Sequence, residues 1–161
     1  MNLKEKIFGD FKEAFKAKEE MRLSVLKMLQ SEIKNAELAK RTKLFKSGEI
    51  EAEAKSILND EEIIEVVFRE IKKRKDAIDL YEKGGRPETA KNERKEIEVL
   101  MNYLPEQLSE DEVRELAKKA IEQTGAVSQK EMGKVMAVLM PQIKGKADGG
   151  MVSSILKELL G

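Results

Sequence analysis

The sequence predicts an all-α protein, and three observations lead to this prediction. Its 161 residues include 39% charged residues, only 4% aromatic residues and no Trp, a composition typical of solvated helical chains. Apolar residues recur at spacings of three and four, which places them on one side of a helix. Capping and helix-ending signals divide the chain into segments of helical length. Together these features predict an N-terminal helical domain with a long antiparallel hairpin and a small C-terminal three-helix domain.

The N-terminal domain is predicted to contain four helices, at residues 2–18, 20–42, 50–83 and 87–103. The apolar side of the first helix carries Leu3, Ile7, Phe8, Phe11 and Phe15. The second helix repeats the pattern with Val25, Leu26, Leu29, Ile33 and Ala36. Within the third, Asn59-Asp-Glu-Glu62 has the form of a capping box, so this helix could divide there.

The glycines Gly84 and Gly85 end the third helix and predict a hairpin with the fourth, in which Pro87 occupies the first turn. Arg74 lies in the apolar stripe of the third helix, and Glu93 occupies the equivalent position on the fourth. In an antiparallel hairpin the two charges lie within about one turn of each other. We therefore expect a partly buried ion pair, with an exposed arginine that contacts phosphate as the alternative.

A domain boundary is predicted at Pro105, because proline disfavours helical conformation at the preceding Leu104. Ser109, with Glu112 three residues later, then forms a capping box that begins a new helix. The predicted domains are therefore residues 1–105 and 106–161.

The C-terminal domain is predicted to be three short helices. Gly125 ends the first, and Ser128 with Glu131 forms a capping box for the second, which Pro141 ends. Asp148 can cap the last helix. The apolar side of that helix consists of Val152, Ile155, Leu156, Leu159 and Leu160.

The absence of Cys and His removes several kinds of site. Cys/His zinc sites, cysteine nucleophiles, Ser-His-Asp triads and histidine proton shuttles are all excluded. The carboxylates lie on helix faces rich in Lys, which is typical of solvated surface and not of a catalytic site. Gly145-Lys146 lacks the rest of a nucleotide-binding phosphate loop. The acidic clusters lack the ligand spacing and the glycine of a calcium-binding loop. We therefore expect no catalytic residues, cofactor or metal. No apolar stretch approaches the ~20 residues of a membrane span, so a cytoplasmic location is expected.

Basic and acidic residues balance at 31 each, so any nucleic-acid binding must be local. Lys130 and Lys134 are one helical turn apart, and Lys144 and Lys146 follow Pro141. These lysines could line one basic edge that contacts phosphate, or they could be ordinary solvated charge. Methionines at helical spacing either fill a small irregular core or form an adaptable partner groove, namely Met132, Met136, Met140 and Met151.

Two regions of the chain resemble the YqeY family. The first comprises Lys73-Arg-Lys-Asp-Ala-Ile78, Gly84-Gly-Arg86, then Ala90, Glu93 and Glu96, and Tyr103-Leu-Pro-Glu-Gln-Leu108. The second comprises Met132-Gly-Lys-Val-Met136, Met140-Pro141, Lys144-Gly-Lys-Ala-Asp-Gly149 and the predicted terminal helix at residues 152–160. The chain departs from the family pattern at Glu131, where Asp is usual, and at Ala77, where Ser is common.

The resemblance implies a function in handling tRNA, because a similar domain forms the tail of GatB, the tRNA-handling subunit of a tRNA-dependent amidotransferase. The leading hypothesis is a non-catalytic tRNA-binding or tRNA-presenting protein that contacts phosphates without reading bases. Its expected contacts are Lys130, Lys134, Lys144 and Lys146, with Arg74 or Lys75 extending the surface. The alternatives are a helical adaptor for a protein partner in tRNA aminoacylation or amidation, and an accessory tRNA-linked amidase or carbon–nitrogen ligase with glutamine as amide donor.

Overall fold

The computed structural model describes residues 1–161 and confirms the all-α class, with no strand and one 3-10 turn at Gln129–Glu131. The chain divides into two compact units, Met1–Tyr103 (unit 1) and Leu104–Gly161 (unit 2). Unit 1 contains α1 (Leu3–Ala17), α2 (Glu20–Lys46), α3 (Ala52–Lys55), α4 (Asp60–Lys83) and α5 (Pro87–Met101). Unit 2 contains α6 (Glu110–Thr124), α7 (Met132–Ile143) and α8 (Gly149–Leu160).

Local signals set most of the helix ends. Complete capping boxes begin α1 at Asn2, α4 at Asn59 and α6 at Ser109. The box at Asn59 separates α4 from the short α3, so the long third helix predicted from the sequence does divide there. Gly125 ends α6 at φ 67°, a conformation that residues with a Cβ rarely adopt.

The core of unit 1 is built by α1, α2 and the α4–α5 hairpin. Gly85 turns the hairpin at φ 71°, and Pro87 is the first residue of α5. Side chains from all four helices are buried in this core, including Ile7, Ala14, Val25, Leu26, Leu29, Ile33, Ile63, Val67, Ile71, Ile78, Ala90 and Leu100.

Arg74 is buried in this hairpin, but the predicted pairing with Glu93 is wrong. Its Nη1 donates to Glu70 Oε2 at 3.0 Å, one turn earlier on α4. Its Nε donates to Glu96 Oε2 on α5, also at 3.0 Å. Residues 93 and 96 are about one turn apart on α5, and the antiparallel register brings Glu96 to the guanidinium. The near-complete burial of Glu70 was not predicted from the sequence.

The core of unit 2 lies among α6, α7 and α8. Its buried side chains are Val113, Ala117, Ala120, Ala126, Val135, Leu139, Ile143, Val152, Ile155, Leu156 and Leu160. The four methionines of this unit are partly buried against that core, in agreement with the core-filling interpretation.

Two local predictions for α7 are wrong. The Ser128 side chain makes no cap hydrogen bond, and Glu131 Oε2 instead accepts a hydrogen bond from Val127 N–H at 2.8 Å. A 3-10 turn therefore precedes α7. Pro141 does not end the helix, which continues to Ile143. Proline removes only its own donor, and the N–H of Lys144 still donates to Met140 O at 2.9 Å.

Candidate nucleic-acid interface

Residues 144–146, which we call the basic turn, follow α7 and have a defined backbone conformation. Lys146 N–H donates to Ile143 O at 2.8 Å, which closes the turn directly beyond the helix. Gly145 lies between the two lysines at φ 77°, a left-handed conformation that strains residues with a Cβ. The turn therefore requires glycine at position 145. A lysine can stand on either side of this position but could not occupy it without strain.

The segment Leu104–Leu108 holds this turn in place from within unit 2. Gln107 Nε2 donates to Gly145 O at 2.8 Å. Leu108 N–H donates to Lys146 O at the same distance. The carbonyl groups of Gly145 and Lys146 thus accept hydrogen bonds from two consecutive residues. Sequence reasoning assigned no role to Gln107, because its partner is 38 residues away in the chain and no spacing rule connects them.

The four candidate lysines of unit 2 are all exposed, and they form two groups. Lys130 lies in the 3-10 turn and Lys134 in the first turn of α7. Lys144 and Lys146 follow the other end of the same helix. A rise of 1.5 Å per residue separates positions 134 and 144 by about 15 Å. The structure therefore places basic groups at both ends of α7 and does not gather them into one cluster.

The chain segment between these two groups carries no acidic residue. Residues 132–147 contain Lys134, Lys144 and Lys146, and no Asp or Glu. The other exposed residues of α7 are Gly133, Ala137, Pro141 and Gln142, and the first three have small side chains. A chain with no net charge thus has a locally positive segment whose backbone a bulky anion can approach closely.

Acidic groups lie at both limits of this segment. Glu131 Oε1 lies 3.9 Å from Lys134 Nζ, but the lysine side chain is 72% exposed, so the pair is weak. Asp148 accepts a long hydrogen bond of 3.4 Å from Gly150 N–H at the start of α8. Lys134 therefore remains accessible to an anion from solvent.

Arg74 and Lys75 belong to unit 1. Arg74 is only 6% exposed, and its guanidinium is bound to Glu70 and Glu96, so we leave it out of the proposed interface. The alternative of an exposed phosphate-binding arginine does not fit this burial. Lys75, the next residue on α4, is exposed.

Tyr103 in unit 1 has a strongly shifted pKa. Burial, together with a 2.6 Å hydrogen bond that its hydroxyl donates to Asp10 Oδ2, raises the pKa of the phenol. The phenol therefore keeps its proton and ties the end of α5 to α1. No group of three or more acidic side chains is arranged to hold a metal ion. None of the helices combines the length and the apolar character that crossing a membrane requires.

Comparison with known proteins adds a family match over both units. The model of a family described as Yqey-like protein matches residues 4–160. The chain is 28% identical over 156 residues to altered inheritance of mitochondria protein 41, mitochondrial, of Pyrenophora tritici-repentis (strain Pt-1C-BFP), which covers 95% of this chain and 78% of that protein. The protein of the same name from Candida glabrata is 27% identical over 139 residues, covering 86% and 67% of the two chains.

Proposed function

Because the chain belongs to the Yqey-like protein family, as the match over residues 4–160 shows, we propose that it binds or presents tRNA without catalysing a reaction. The observation that carries this proposal is the acid-free segment 132–147, with exposed lysines at both ends of α7. We choose tRNA as the nucleic acid because unit 2 resembles the tail domain of GatB.

The geometry favours contacts with the phosphate backbone over contacts with bases. Lysine is a flexible point charge, and contacts of this kind position a protein on nucleic acid without reading its sequence. Two basic groups about 15 Å apart along α7 can contact separate phosphates. Lys130 and Lys134 would contact one, and Lys144 and Lys146 the other. Lys75 remains a proposed extension on unit 1.

The proposal predicts tRNA binding that depends steeply on salt. The test compares the variant K134A/K144A/K146A with the variant K118A/K119A/K157A, which removes the same charge from α6 and α8. Each phosphate contact contributes ~0.7 to 0.9 to the slope of log affinity against log salt concentration. Because the variant loses one of the two proposed phosphate contacts and weakens the other, we expect it to lower the slope by about 1 to 1.5 and the control to leave the slope near that of the wild type. A wild-type protein that retains no tRNA at low salt, or equal losses in both variants, would contradict the proposal.

A second variant separates geometry from charge. Gln107→Leu removes the hydrogen bond to Gly145 O and leaves every lysine in place. Because the turn that carries Lys144 and Lys146 is then less fixed, we expect tRNA affinity to fall roughly threefold to tenfold, as for loss of one hydrogen bond. Filter binding measures the affinity, and circular dichroism checks that the helices persist. Unchanged affinity in a folded variant would show that this tether does not position the lysines.

A protein-interaction adaptor is the second candidate, because apolar side chains are exposed near the connector between α2 and α4. Phe45 is 58% exposed, Ile50 96% and Ile57 59%. Exposed patches of this kind are typical of protein-binding surfaces. A partner retained after nuclease treatment at high salt, and lost when these three residues are replaced by Ser, would favour this function over tRNA binding. Amide chemistry has no comparable observation behind it.

A cytoplasmic setting is part of the proposal. The names of the two relatives carry the word mitochondrial, which is said of those proteins. Fractionation of cells that express the tagged chain tests the location directly.

A further inference from the structure

Unit 1 contains an open cleft of about 630 Å³ between the first turns of α1 and the middle of α2. Its volume lies within the range of small-molecule sites. We propose that this cleft binds a small amphipathic carboxylic acid, with the hydrocarbon body against Ile7 and Ile33 and the carboxylate between Gln30 and Lys34. The proposal is independent of tRNA binding, since none of the residues involved belongs to unit 2.

The inner wall of the cleft is apolar. Ile7 of α1 and Ile33 of α2 are almost completely buried and form its floor. Phe8 lines it as well but is 51% exposed, with Lys12 Nζ 4.4 Å from the ring centroid. An aromatic ring that is half exposed beside two buried isoleucines offers apolar surface that a hydrocarbon group can cover.

Gln30 distinguishes this cleft from a simple apolar groove. Its Nε2 is the one buried side-chain nitrogen or oxygen that has no hydrogen-bond partner. Buried donors without partners are rare in folded proteins, because each has lost its hydrogen bonds to water. As placed, Nε2 is shielded from solvent, and a flip of the terminal torsion would only put Oε1 in its position. Rotation of the whole side chain to another rotamer brings the amide nitrogen into the cleft that Gln30 lines. A ligand oxygen there would supply the missing acceptor.

The formal charges at the rim balance, with Lys4 and Lys34 against Glu5 and Glu37, so the positions of the polar groups and not the net charge favour a carboxylate beside Lys34. Lys4 Nζ is bound to Glu37 Oε1 at 2.6 Å, and that oxygen also accepts a hydrogen bond from Leu58 N–H. Glu5 accepts a hydrogen bond from the backbone of Asn2 at the start of α1. Lys34 lines the cleft and makes no ion pair. The donors that remain are one ammonium and one amide, which match the two oxygens of a carboxylate.

The test uses octanoate, with 1-octanol as a probe of the same chain length that lacks the charge. Two-dimensional ¹H–¹⁵N NMR of the full chain follows the side-chain amide of Gln30, with Gln142 in unit 2 as an internal reference. We expect octanoate to shift the Gln30 amide with a dissociation constant in the millimolar range or tighter, and octanol to bind more weakly. The Gln142 amide should not move.

Matched variants assign the two polar contacts. Gln30→Leu should weaken octanoate binding roughly tenfold, as for loss of a hydrogen bond to a charged group. Lys34→Ala should weaken it about threefold, whereas Lys27→Ala, seven residues earlier on α2 and outside the cleft, should not. The melting temperature of each variant verifies folding. No shift at Gln30, equal binding of the two probes, or equal effects of Lys34→Ala and Lys27→Ala would overturn the proposal.

Discussion

Arg74 and Glu70 form the most deeply buried ion pair of the protein, with side chains only 6% and 4% exposed. Lys73 also donates to Glu70, at 2.7 Å, and Glu96 accepts from the Arg74 Nε. Each charge therefore has at least two polar contacts, which a buried pair requires to offset its lost hydration. Arg74 and Glu70 are both on α4, so the contact that links the two helices of the hairpin and favours one register is the one between Arg74 and Glu96 of α5.

Removing one member of this pair should cost more than removing both. Arg74→Met alone leaves the buried Glu70 carboxylate with only Lys73, and we expect a loss of ~3 kcal/mol in unfolding free energy. The double variant R74M/E70L removes the buried charge as well, and its stability should lie within ~1 kcal/mol of the wild type. Urea denaturation followed by circular dichroism measures both. A single variant as stable as the wild type would contradict this account.

Glu70 and Glu93 should respond to pH in opposite directions. Burial alone would raise the pKa of Glu70, but hydrogen bonds from Lys73 and Arg74 outweigh it and lower this pKa below the ordinary 4.5. Its ionised form therefore adds stability above that value, and the stability is lost as the pH falls through the lowered pKa. Burial and the charge of Glu96 raise the pKa of Glu93, against the effect of Arg74. Ionised Glu93 therefore destabilises the fold at neutral pH.

Two substitutions check these signs by urea denaturation across the acidic and neutral range. Glu70→Gln should destabilise the protein at neutral pH, and its effect should shrink in acid. Glu93→Gln should stabilise it at neutral pH, and this gain should vanish as the pH falls through the raised pKa. The same pH trend in both variants would show that one of the two directions is wrong.

At the scale of the helix, two similar sequences give different caps. Ser109 accepts a hydrogen bond from Glu112 N–H at 3.2 Å and completes a capping box, whereas Ser128 makes no cap hydrogen bond. We therefore expect Ser109→Ala to cost ~1 kcal/mol and Ser128→Ala to cost a few tenths at most. Thermal unfolding of both variants decides. Equal losses would mean that Ser128 caps α7 in solution.

The same comparison shows how far the sequence predicts the structure. Helix ends at Asn59, Ser109 and Gly125 depend on neighbouring residues alone, so local rules locate them. The start of α7 is different, because Val127 N–H donates a hydrogen bond to the Glu131 carboxylate. No spacing rule predicts that Glu131 accepts from Val127 and not from Ser128. The candidate nucleic-acid interface likewise has features that the sequence shows and features that it does not.

The sequence shows two lysines at the basic turn, because the order Lys-Gly-Lys can be read directly from it. It cannot show that Gln107 fixes the turn from 38 residues away. It also cannot show which acid reaches Arg74, because that depends on the hairpin register to within one helical turn. Sequence reasoning therefore missed contacts between distant segments, together with the way in which α7 begins and ends.

At the scale of the whole molecule, the two units have separate hydrophobic cores and different surfaces. Unit 1 carries the buried Arg74 network and the apolar cleft, whereas unit 2 carries the acid-free segment 132–147. A chain without net charge gains little long-range attraction to nucleic acid, so the proposed binding depends on a short positive segment. This division locates the two proposed sites on different cores.

Separate cores predict separate opening reactions, which native-state hydrogen exchange can measure. Leu139 lies fully buried in the core of unit 2, and Leu29 occupies a comparable position in unit 1. Replacing either with Ala should cost ~2 to 5 kcal/mol. We expect Leu139→Ala to speed amide exchange in residues 104–161 while residues 1–103 keep their rates, and Leu29→Ala to do the reverse. If either substitution speeds exchange equally throughout the chain, the protein opens as one cooperative body and the two cores are coupled.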